Sequence, residues 1–344
     1  MSVVIVPAAG RSSRFGLSKP KWMLTAPNGN LMLAESLRGV KGISRLIITV
    51  VRSHLTESRI DLTLLSGSIA ALTGVHPEWV ILDTFTSSQA ETVYATLNKK
   101  NIITPFVIKD CDNQFWIDLS TIGNHNFVCT SIVTKDINAT NKSYVDADSN
   151  HKIRLIAEKR IISNTFCAGA YGFASAKDFT KAYYGMTANK EIYISNIIDY
   201  LIQRRIKFDI MSTMQYVDWG TLEDWNRYKD KYKTIFCDID GVLVQNASNY
   251  FEPKWNDASP INENINQIKN NHYYIVLTTS RPENEREATI EMLKKHGIPF
   301  DKLIMGLPHS QRVIINDFAA TNPYPSATAI NVPRNSTNLK DYMK

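Results

Sequence analysis

The sequence predicts an α/β protein with two domains. Its 344 residues suggest two domains at about 150 residues each. Short β-branched runs alternate with helical segments, a pattern typical of a parallel sheet covered by helices. The alternation starts again after a charged segment that ends near residue 233. With 44% hydrophobic and 21% charged residues, the chain is neither disordered nor collagen-like.

The first domain is predicted to span residues 1–232. Strands are predicted at 3–6, 46–51, 80–82 and 106–108, with helices at 31–38 and 90–98 between them. From residue 127 to 173 the pattern changes to longer strand-like pieces, with a turn at 147–150. This change predicts a mixed or antiparallel extension of the sheet, where such folds commonly carry substrate-binding groups.

The second domain is predicted to span residues 233–344. A charged helical segment at 221–233 leads directly into a new apolar strand at 234–237, without a Pro/Gly/Ser linker. Further predicted elements are strands at 273–277 and 313–315 and a helix at 283–296 that Gly297 closes. The resulting unit is small, but it is long enough for one core.

Charge and cysteine usage limit the classes of protein. The formal net charge of +6 suits phosphorylated small molecules as well as nucleic acid, so charge alone names no partner. No apolar stretch approaches the ~20 residues that span a bilayer, and the N-terminus does not resemble a signal peptide, which predicts a cytoplasmic protein. Cys111, Cys129, Cys167 and Cys237 are far apart, so we expect reduced, buried thiols and neither a zinc site nor disulfides.

A loop of small residues follows the first predicted strand. It reads Pro7-Ala8-Ala9-Gly10-Arg11-Ser12-Ser13-Arg14-Phe15-Gly16, with Lys19-Pro20-Lys21 after it. Small residues at the end of a parallel strand allow backbone N–H groups to approach phosphate oxygens or a base edge. Arg14 and Lys21 add positive charge for a polyphosphate. The loop therefore predicts a phosphate site, and a surface loop with stray basic residues is the alternative.

This segment resembles the signature of sugar-phosphate nucleotidyltransferases, which have a Rossmann-like fold of the glycosyltransferase-A type. The resemblance rests on Ala8-Ala9-Gly10, Ser13-Arg14-Phe15-Gly16 and Pro20-Lys21, and it covers residues 1 to about 232. It implies that the loop, with Ala8, Ala9 and Gly10, grips the nucleoside triphosphate. It also implies that Arg14 holds the β- and γ-phosphates and that Lys21 neutralises the attacking phosphate and the α-phosphate.

Two aspartates are the predicted magnesium ligands of this domain. Asp110 closes the strand at 105–108, and Asp218 precedes a helix start in Val217-Asp218-Trp219-Gly220-Thr221. The first position is the carboxyl edge of the sheet, where Mg²⁺ and a triphosphate would lie, and the second resembles the family's late metal-binding segment. Asp112 is the alternative ligand, and for each aspartate a capping or turn role is the structural alternative.

The resemblance implies two further binding residues. Gln89 stands where the family begins a helix near the nucleobase, and Lys159 stands in an acceptor-pocket segment where it would hold the acceptor phosphate. A plain helix start and a surface lysine are the alternatives. The segment 109–113 resembles cytidylyltransferases that act on small phosphorylated alcohols, which favours CTP as the nucleotide.

A second motif, Asp238-Ile239-Asp240-Gly241, ends the apolar strand of the second domain. Alternation along a strand points Asp238 and Asp240 the same way, so one carboxylate can attack phosphorus while the other handles the leaving-group proton. The motif resembles the first motif of the haloacid dehalogenase superfamily, over residues 234 to about 335. It implies that Asp238 is a nucleophile and metal ligand and that Asp240 is a general acid/base.

The remaining motifs of that superfamily are implied further along the chain. Thr279, with Thr278 as the alternative, stands where a hydroxyl binds the phosphoryl group. Arg312 stands where a lysine is more usual, and Asp317 is the implied Mg²⁺ ligand, although Asn316 replaces the first of two common acids. The short spacing between the first two motifs implies a capless α/β phosphatase domain with an open site.

Together these resemblances imply a bifunctional enzyme. One domain would transfer a nucleotidyl group from a nucleoside triphosphate, with CTP favoured, to a sugar or polyol phosphate, releasing pyrophosphate and using Mg²⁺. The other would hydrolyse a phosphate monoester through an aspartyl-phosphate, in the making of capsule or surface polysaccharide precursors. A nucleotide-sugar glycosyltransferase, and a nucleotidyltransferase with an inactive C-terminal regulatory domain, are the alternatives. We expect no nucleic-acid or membrane partner, and the oligomeric state stays open.

Overall fold

The computed structural model describes residues 2–11, 19–134, 137, 139–186, 191–270, 272–317 and 326–343. The chain divides into two compact units, Met1–Asn226 and Arg227–Lys344. This division falls inside a helix, whereas the sequence places the boundary between residues 232 and 233. Met1–Asn226 is called unit 1 and Arg227–Lys344 is called unit 2.

Strands and helices alternate along the first half of unit 1, as the sequence predicts. Its strands are β1 (Ser2–Pro7), β2 (Val40–Lys41), β3 (Ile43–Val51), β4 (Pro77–Leu82), β5 (Phe106–Lys109), β6 (Asn113–Asp118), β7 (Phe127–Ile132), β8 (Tyr144–Ala147), β9 (Ile153–Ala157), β10 (Thr165–Phe173), β11 (Asp209–Ser212) and β12 (Met214–Asp218). Its helices are α1 (Met32–Glu35), α2 (Arg52–Ser58), α3 (Leu62–Thr73), α4 (Gln89–Lys99), α5 (Ala176–Met186) and α6 (Ile194–Gln203), and α7 (Leu222–Asp230) crosses into unit 2. The helix predicted at 31–38 is thus a single short turn, α1.

The main sheet of unit 1 has mixed strand directions. Along its main path the described strands follow the order β11-β7-β10-β5-β1-β3-β4, with β8 and β9 attached at β10. β1 runs parallel to β3 and β5, whereas β10 runs antiparallel to β5 and β7. The predicted mixed sheet is therefore confirmed. In a separate small sheet, β12-β6-β2, the end of β12 pairs with the start of β6 and so lies beside the turn that follows β5.

The central strands are apolar on both faces because each face packs against its own hydrophobic core. Ile5, Ile47 and Ile108 belong to one buried cluster, and their neighbours Val4 and Ile48 belong to the other. Alternate residues of a strand point to opposite faces, so a continuous apolar run requires cover on both sides. Because β1 and β5 are parallel neighbours, their carboxyl ends lie side by side at one edge of the sheet.

Unit 2 contains a smaller parallel sheet. Its described strands, in the order β13-β14-β15, are β13 (Thr234–Asp238), β14 (Tyr274–Thr278) and β15 (Lys302–Ile304), with helices α8 (Asn262–Ile268) and α9 (Arg286–Lys295). Ile239, Leu277 and Leu293 lie in its single described core cluster. The predicted helix at 283–296 begins as a short 3₁₀ turn, Glu283–Glu285, before α9.

The strand predicted at 313–315 is wrong in this structure. Val313, Ile314 and Ile315 are 71%, 54% and 93% exposed, and no strand is assigned to them in the part of the chain that the structure describes. A β-branched run favours extended backbone, but a strand also needs a neighbouring ladder of hydrogen bonds. Arg312 and Asp317 therefore lie on an exposed segment and not at the end of a strand.

Two predictions about composition can be compared directly with the structure. All four cysteines are buried free thiols, as expected. Across the residues that the structure describes, no helix is both long and apolar enough to cross a bilayer.

Candidate active site

The loop after β1 begins in the core and emerges at the carboxyl edge of the sheet. Ala8 and Ala9 are 5% and 1% exposed, and the Ala8 N–H donates to the Thr49 carbonyl at 2.8 Å, which continues the β1–β3 pairing. Gly10 is exposed. Arg14 lies within residues 12–18, outside the described residues, so its predicted position stays a prediction.

Lys21 begins a short 3₁₀ turn, Lys21–Met23, that the core anchors. Trp22 is 1% exposed and Met23 is 7% exposed, so burial of these two side chains sets where Lys21 stands. The Lys21 ammonium group pairs with the carboxylate of Asp112. The predicted phosphate-binding lysine and the alternative metal ligand are therefore in direct contact.

The turn after β5 is organised by a buried lysine. Lys109 is 1% exposed, and its Nζ donates to the carbonyl of Asp110 and to Oδ1 of Asn113 at 2.7 Å each. Burial lowers the pKa of this ammonium group to about 8. Gly169 packs against the same turn with φ +87°, and a Cβ there would lie 2.7 Å from Oδ2 of Asp110. Only glycine fits this close approach without strain.

The two carboxylates of this turn have opposite pKa shifts. Burial, and then the charge of Asp112, raise the pKa of Asp110 to about 6. Burial also acts to raise the pKa of Asp112, but the charge and hydrogen bond of Lys21, together with the charges of Lys142 and Lys109, outweigh it and lower that pKa to about 2. The Gln89 amide donates to the Asp110 carboxylate, so the structure puts Gln89 beside a predicted metal ligand.

Asp218 reaches the same turn through the pairing of β12 with β6. Asp218 is aligned with Asn113 in the ladder, and the Trp219 N–H donates to the Asp112 carbonyl at 2.9 Å. The Asp218 side chain is 6% exposed and pairs with Lys142, with 2.7 Å between Nζ and Oδ2. Lys142 could not be predicted from the sequence, because it lies in a loop with no motif that marks it.

The donor set fits a magnesium ion in its chemistry. Asp110, Asp112 and Asp218 offer carboxylate oxygens, which Mg²⁺ prefers. The described residues nevertheless contain no ready cluster of three His, Cys, Asp or Glu side chains that could hold a metal. Instead an amide or a lysine contacts each carboxylate: Gln89, Lys21 and Lys142 respectively. A divalent ion would have to replace these contacts at least in part.

The predicted acceptor segment carries a second polar group. The Glu158 carboxylate accepts hydrogen bonds from the hydroxyls of Ser143 and Ser195, the latter at 2.6 Å. Lys159 is exposed, and its Nζ donates to the Tyr193 hydroxyl at 2.7 Å. Glu158 and Lys159 thus both contact hydroxyl groups from other segments of unit 1.

In unit 2 the two predicted catalytic aspartates lie in different environments. Asp238 ends β13 and is exposed. Asp240 is held by both nitrogens of one edge of Arg281, with Nε–Oδ2 at 2.9 Å and Nη2–Oδ1 at 2.7 Å. Thr279 Oγ1 donates to the same carboxylate at 3.3 Å, whereas Thr278 Oγ1 donates to the Cys237 carbonyl at 3.4 Å.

Two arginines act on Asp238 from later segments. Asp238 is accessible to solvent, but the protein atoms packed around its carboxylate displace part of its hydration, which raises its pKa, as does the charge of Asp240. The Ile239 N–H, Arg312 and Arg334 lower it. Arg312 donates to the Ser280 hydroxyl at 3.1 Å. Asp317 is exposed, and its carbonyl accepts from Ser326 at 2.5 Å. Neither Arg281 nor Arg334 has a role predicted from the sequence, although Arg281 follows Thr279 by two residues.

Known structures resemble this chain in the fold expected for a nucleotidyltransferase domain. No family model matches the chain, and no curated protein matches it. Among solved structures it is similar to a nucleoside-diphosphate-sugar pyrophosphorylase from Vibrio cholerae RC9, with 21% identity, TM-score 0.53 and coverage of 65% of this chain and 98% of that one. It is also similar to the inositol-1-phosphate CTP transferase from T. maritima (15% identity, TM-score 0.52, 65% and 91% covered).

A UDP-glucose pyrophosphorylase complexed with UDP-glucose is similar as well, at 16% identity and TM-score 0.52, with 67% of this chain and 98% of that one covered. The covered share is close to the share that unit 1, Met1–Asn226, occupies in the 344-residue chain. These structural neighbours are sugar-phosphate nucleotidyltransferases, and the chain therefore contains their α/β fold with its mixed sheet.

Proposed function

We propose that unit 1 transfers a nucleotidyl group from a nucleoside triphosphate to a sugar or polyol phosphate and releases pyrophosphate. The main support is the grouping of Asp110, Asp112 and Asp218 with Lys21 at the carboxyl ends of β1 and β5. Ligands of open α/β sheets bind at that edge. The nucleotidyltransferase neighbours support the same class of reaction.

The proposed roles follow the two ends of the substrates. Ala8, Ala9 and Gly10 approach the nucleotide through their backbone, and Arg14 holds the β- and γ-phosphates. Gln89, next to Asp110, is the proposed reader of the base, and Lys159 is the proposed contact of the acceptor phosphate. CTP is the favoured nucleotide because the segment 109–113 resembles cytidylyltransferases, and one structural neighbour is a CTP transferase.

The chemistry needs positive charge and alignment. A phosphate oxygen of the acceptor attacks the α-phosphorus, the bond to the pyrophosphate oxygen breaks, and no covalent enzyme intermediate is needed. Both reactants are anionic, so Lys21 lowers the barrier by neutralising the charge that meets at the α-phosphate. Mg²⁺, held by Asp110 and Asp218, would add further neutralisation of the triphosphate.

We propose a second activity for unit 2, the hydrolysis of a phosphate monoester. Asp238 is accessible at the end of β13, while Arg281 and Thr279 hold Asp240 in place. A carboxylate oxygen of Asp238 would attack phosphorus, and Asp240 would give a proton to the departing alkoxide. Water then attacks phosphorus and gives a proton to Asp240, the bond between phosphorus and the Asp238 carboxylate oxygen breaks, and orthophosphate leaves. Thr279 and Arg312 contact the phosphoryl group. Asp238 and Asp317 are the proposed Mg²⁺ ligands here.

One experiment tests both proposals. The four common nucleoside triphosphates are combined with sugar and polyol phosphates, and pyrophosphate and orthophosphate are measured separately. We expect pyrophosphate from one nucleotide and acceptor pair, with CTP favoured, and we expect Lys21→Met to abolish it without affecting orthophosphate release. Asp238→Asn should have the converse effect.

Other outcomes distinguish the alternatives. Product formed only from a ready-made nucleotide sugar would identify a glycosyltransferase. Pyrophosphate without orthophosphate, across a panel of phosphate esters with Mg²⁺, would identify unit 2 as a regulatory or binding domain. The proposed setting, the making of surface polysaccharide precursors, follows only if the acceptor is a sugar or polyol phosphate.

A further inference from the structure

Lys142 forms an ion pair with Asp218, and the proposed reaction leaves this lysine without a role. Its Nζ lies 2.7 Å from Oδ2 of Asp218, and the two side chains are 14% and 6% exposed. We propose that Lys142 is an exchangeable counter-cation, which holds Asp218 until a divalent ion replaces it and then binds a substrate phosphate. This inference rests on the proposed nucleotidyl transfer.

The surroundings of Lys142 hold its ammonium group in one place. Its Nζ donates to the Tyr216 hydroxyl at 3.0 Å and lies 5.5 Å and 5.8 Å from the ring centroids of Tyr216 and Phe166. The Tyr216 hydroxyl, which accepts this hydrogen bond, in turn donates to Oδ1 of Asp218 at 3.3 Å.

The contacts of Asp218 decide which oxygen a metal ion would take. Oδ1 accepts hydrogen bonds from the Gly220 N–H at 3.1 Å and from Tyr216, whereas Oδ2 faces Lys142. A divalent ion that binds Asp218 through Oδ2 competes with the ammonium group for the same oxygen. A carboxylate this buried needs a positive partner, so one cation leaves as the other arrives.

The displaced ammonium group would remain close to the reacting phosphates. The turn that carries Asp112 lies beside Asp218, because the Trp219 N–H donates to the Asp112 carbonyl at 2.9 Å. A lysine side chain is long and flexible and carries a compact charge. Once released from Asp218, it is positioned to contact an anionic phosphate oxygen at the same site.

Mn²⁺ binding to the free, full-length protein tests the competition without any substrate. Mn²⁺ titrations at pH 7.5, followed by electron paramagnetic resonance, compare wild type with Lys142→Met, which has a similar length and no charge. We expect Lys142→Met to bind Mn²⁺ about tenfold more tightly, since a charged hydrogen bond no longer competes. Lys142→Arg should bind as wild type does. If Lys142→Met does not fold, Lys142→Gln makes the same comparison.

The control is Lys152→Met. Lys152 also pairs with an aspartate, at 2.5 Å from Oδ1 of Asp209, but its side chain is 44% exposed and the pair has no proposed role in metal binding. We expect its Mn²⁺ affinity to equal that of wild type. Equal or weaker Mn²⁺ binding by Lys142→Met, or no Mn²⁺ binding by any of these proteins at millimolar concentrations, would overturn the inference.

Turnover measured over a range of Mg²⁺ concentrations tests the second half of the inference. We expect Lys142→Met to need less Mg²⁺ for the half-maximal rate. At saturating Mg²⁺ its kcat/KM for either the nucleoside triphosphate or the acceptor phosphate should nevertheless be reduced about tenfold or more. A change in metal affinity with unchanged kcat/KM would overturn the phosphate-binding role. If wild type transfers no nucleotidyl group while Lys142→Met still binds Mn²⁺ more tightly, the proposed function fails and the counter-cation role stands.

Discussion

Replacing Arg281 should destabilise unit 2 far more than replacing an exposed arginine of the same unit. Arg281 and Asp240 form a bidentate pair in which the side chains are 1% and 15% exposed. Arg281 Nη2 also donates to the Trp255 carbonyl at 3.3 Å, so the guanidinium links three segments. Arg281→Met leaves a largely buried carboxylate without its partner.

The magnitude follows from burial. Removing one member of a buried pair costs about 3–5 kcal/mol, and the residual exposure of Asp240 favours the lower end, about 3 kcal/mol. For a domain of roughly 100 residues this corresponds to a fall in melting temperature of roughly 10–20 °C. Arg286 makes the same kind of pair with Glu283, but those side chains are 36% and 64% exposed. Arg286→Met should therefore destabilise unit 2 far less than Arg281→Met does.

Hydrogen exchange followed by mass spectrometry measures the effect in the full chain. Peptides from β13 and β14 report the opening free energy of unit 2 separately from that of unit 1. A double-mutant cycle with Asp240→Asn should give a coupling energy of about 2 kcal/mol. Equal losses for Arg281→Met and Arg286→Met, or a coupling energy near zero, would refute the argument from burial.

Three further predictions concern unit 1. Gly169→Ala should lower the unfolding free energy by about 2 kcal/mol, because φ is +87° and the new Cβ meets Asp110 and Asn113; urea denaturation measures this. Because the folded pKa of Asp110 is raised to about 6 from 3.8, the folded metal-free protein loses stability as pH rises from about 4 to 6. Asp110→Asn should accordingly stabilise it by about 1–3 kcal/mol at pH 7.5 and hardly at all at pH 4, whereas an equal effect at both pH values would contradict that assignment. Lys21→Met should reduce kcat for nucleotidyl transfer about 100-fold or more. It should also lower the free energy of unfolding by about 1–3 kcal/mol, because it leaves the largely buried Asp112 carboxylate without its cation; a loss of stability without loss of turnover would argue for a purely structural role.

The accuracy of the sequence predictions depended on whether a feature was local. The predicted strand at 3–6 and the helix at 90–98 correspond to β1 and α4, because their patterns reflect burial of the segments themselves. The run at 313–315 had the same β-branched composition but forms no described strand, because a strand requires a partner that composition cannot supply. Helix α1 is shorter than predicted, since the apolar pattern at 31–38 reports burial and not helix length.

The candidate sites show the same division. Asp110, Asp238 and Asp240 could be chosen from the sequence because each lies at the end of an apolar strand. Asp218 could be chosen because it precedes a helix start and resembles the metal-binding segment of the nucleotidyltransferases. The side chains that hold them come from remote segments. Lys142, which pairs with Asp218, is 74 residues from Tyr216, the other side chain at that carboxylate. Arg281 is 41 residues from Asp240. No local sequence pattern associates residues so far apart.

The amino-acid sequence by itself determined the class of fold, the positions of several strands and the acidic residues near their ends, because hydrophobic alternation and strand-end chemistry are properties of short segments. Only the tertiary structure decided which cation faces each carboxylate: Lys21 on Asp112, Lys142 on Asp218 and Arg281 on Asp240. Those pairings depend on strand register and on burial, which raise or lower the free energy of each charge and are set only when distant segments pack together.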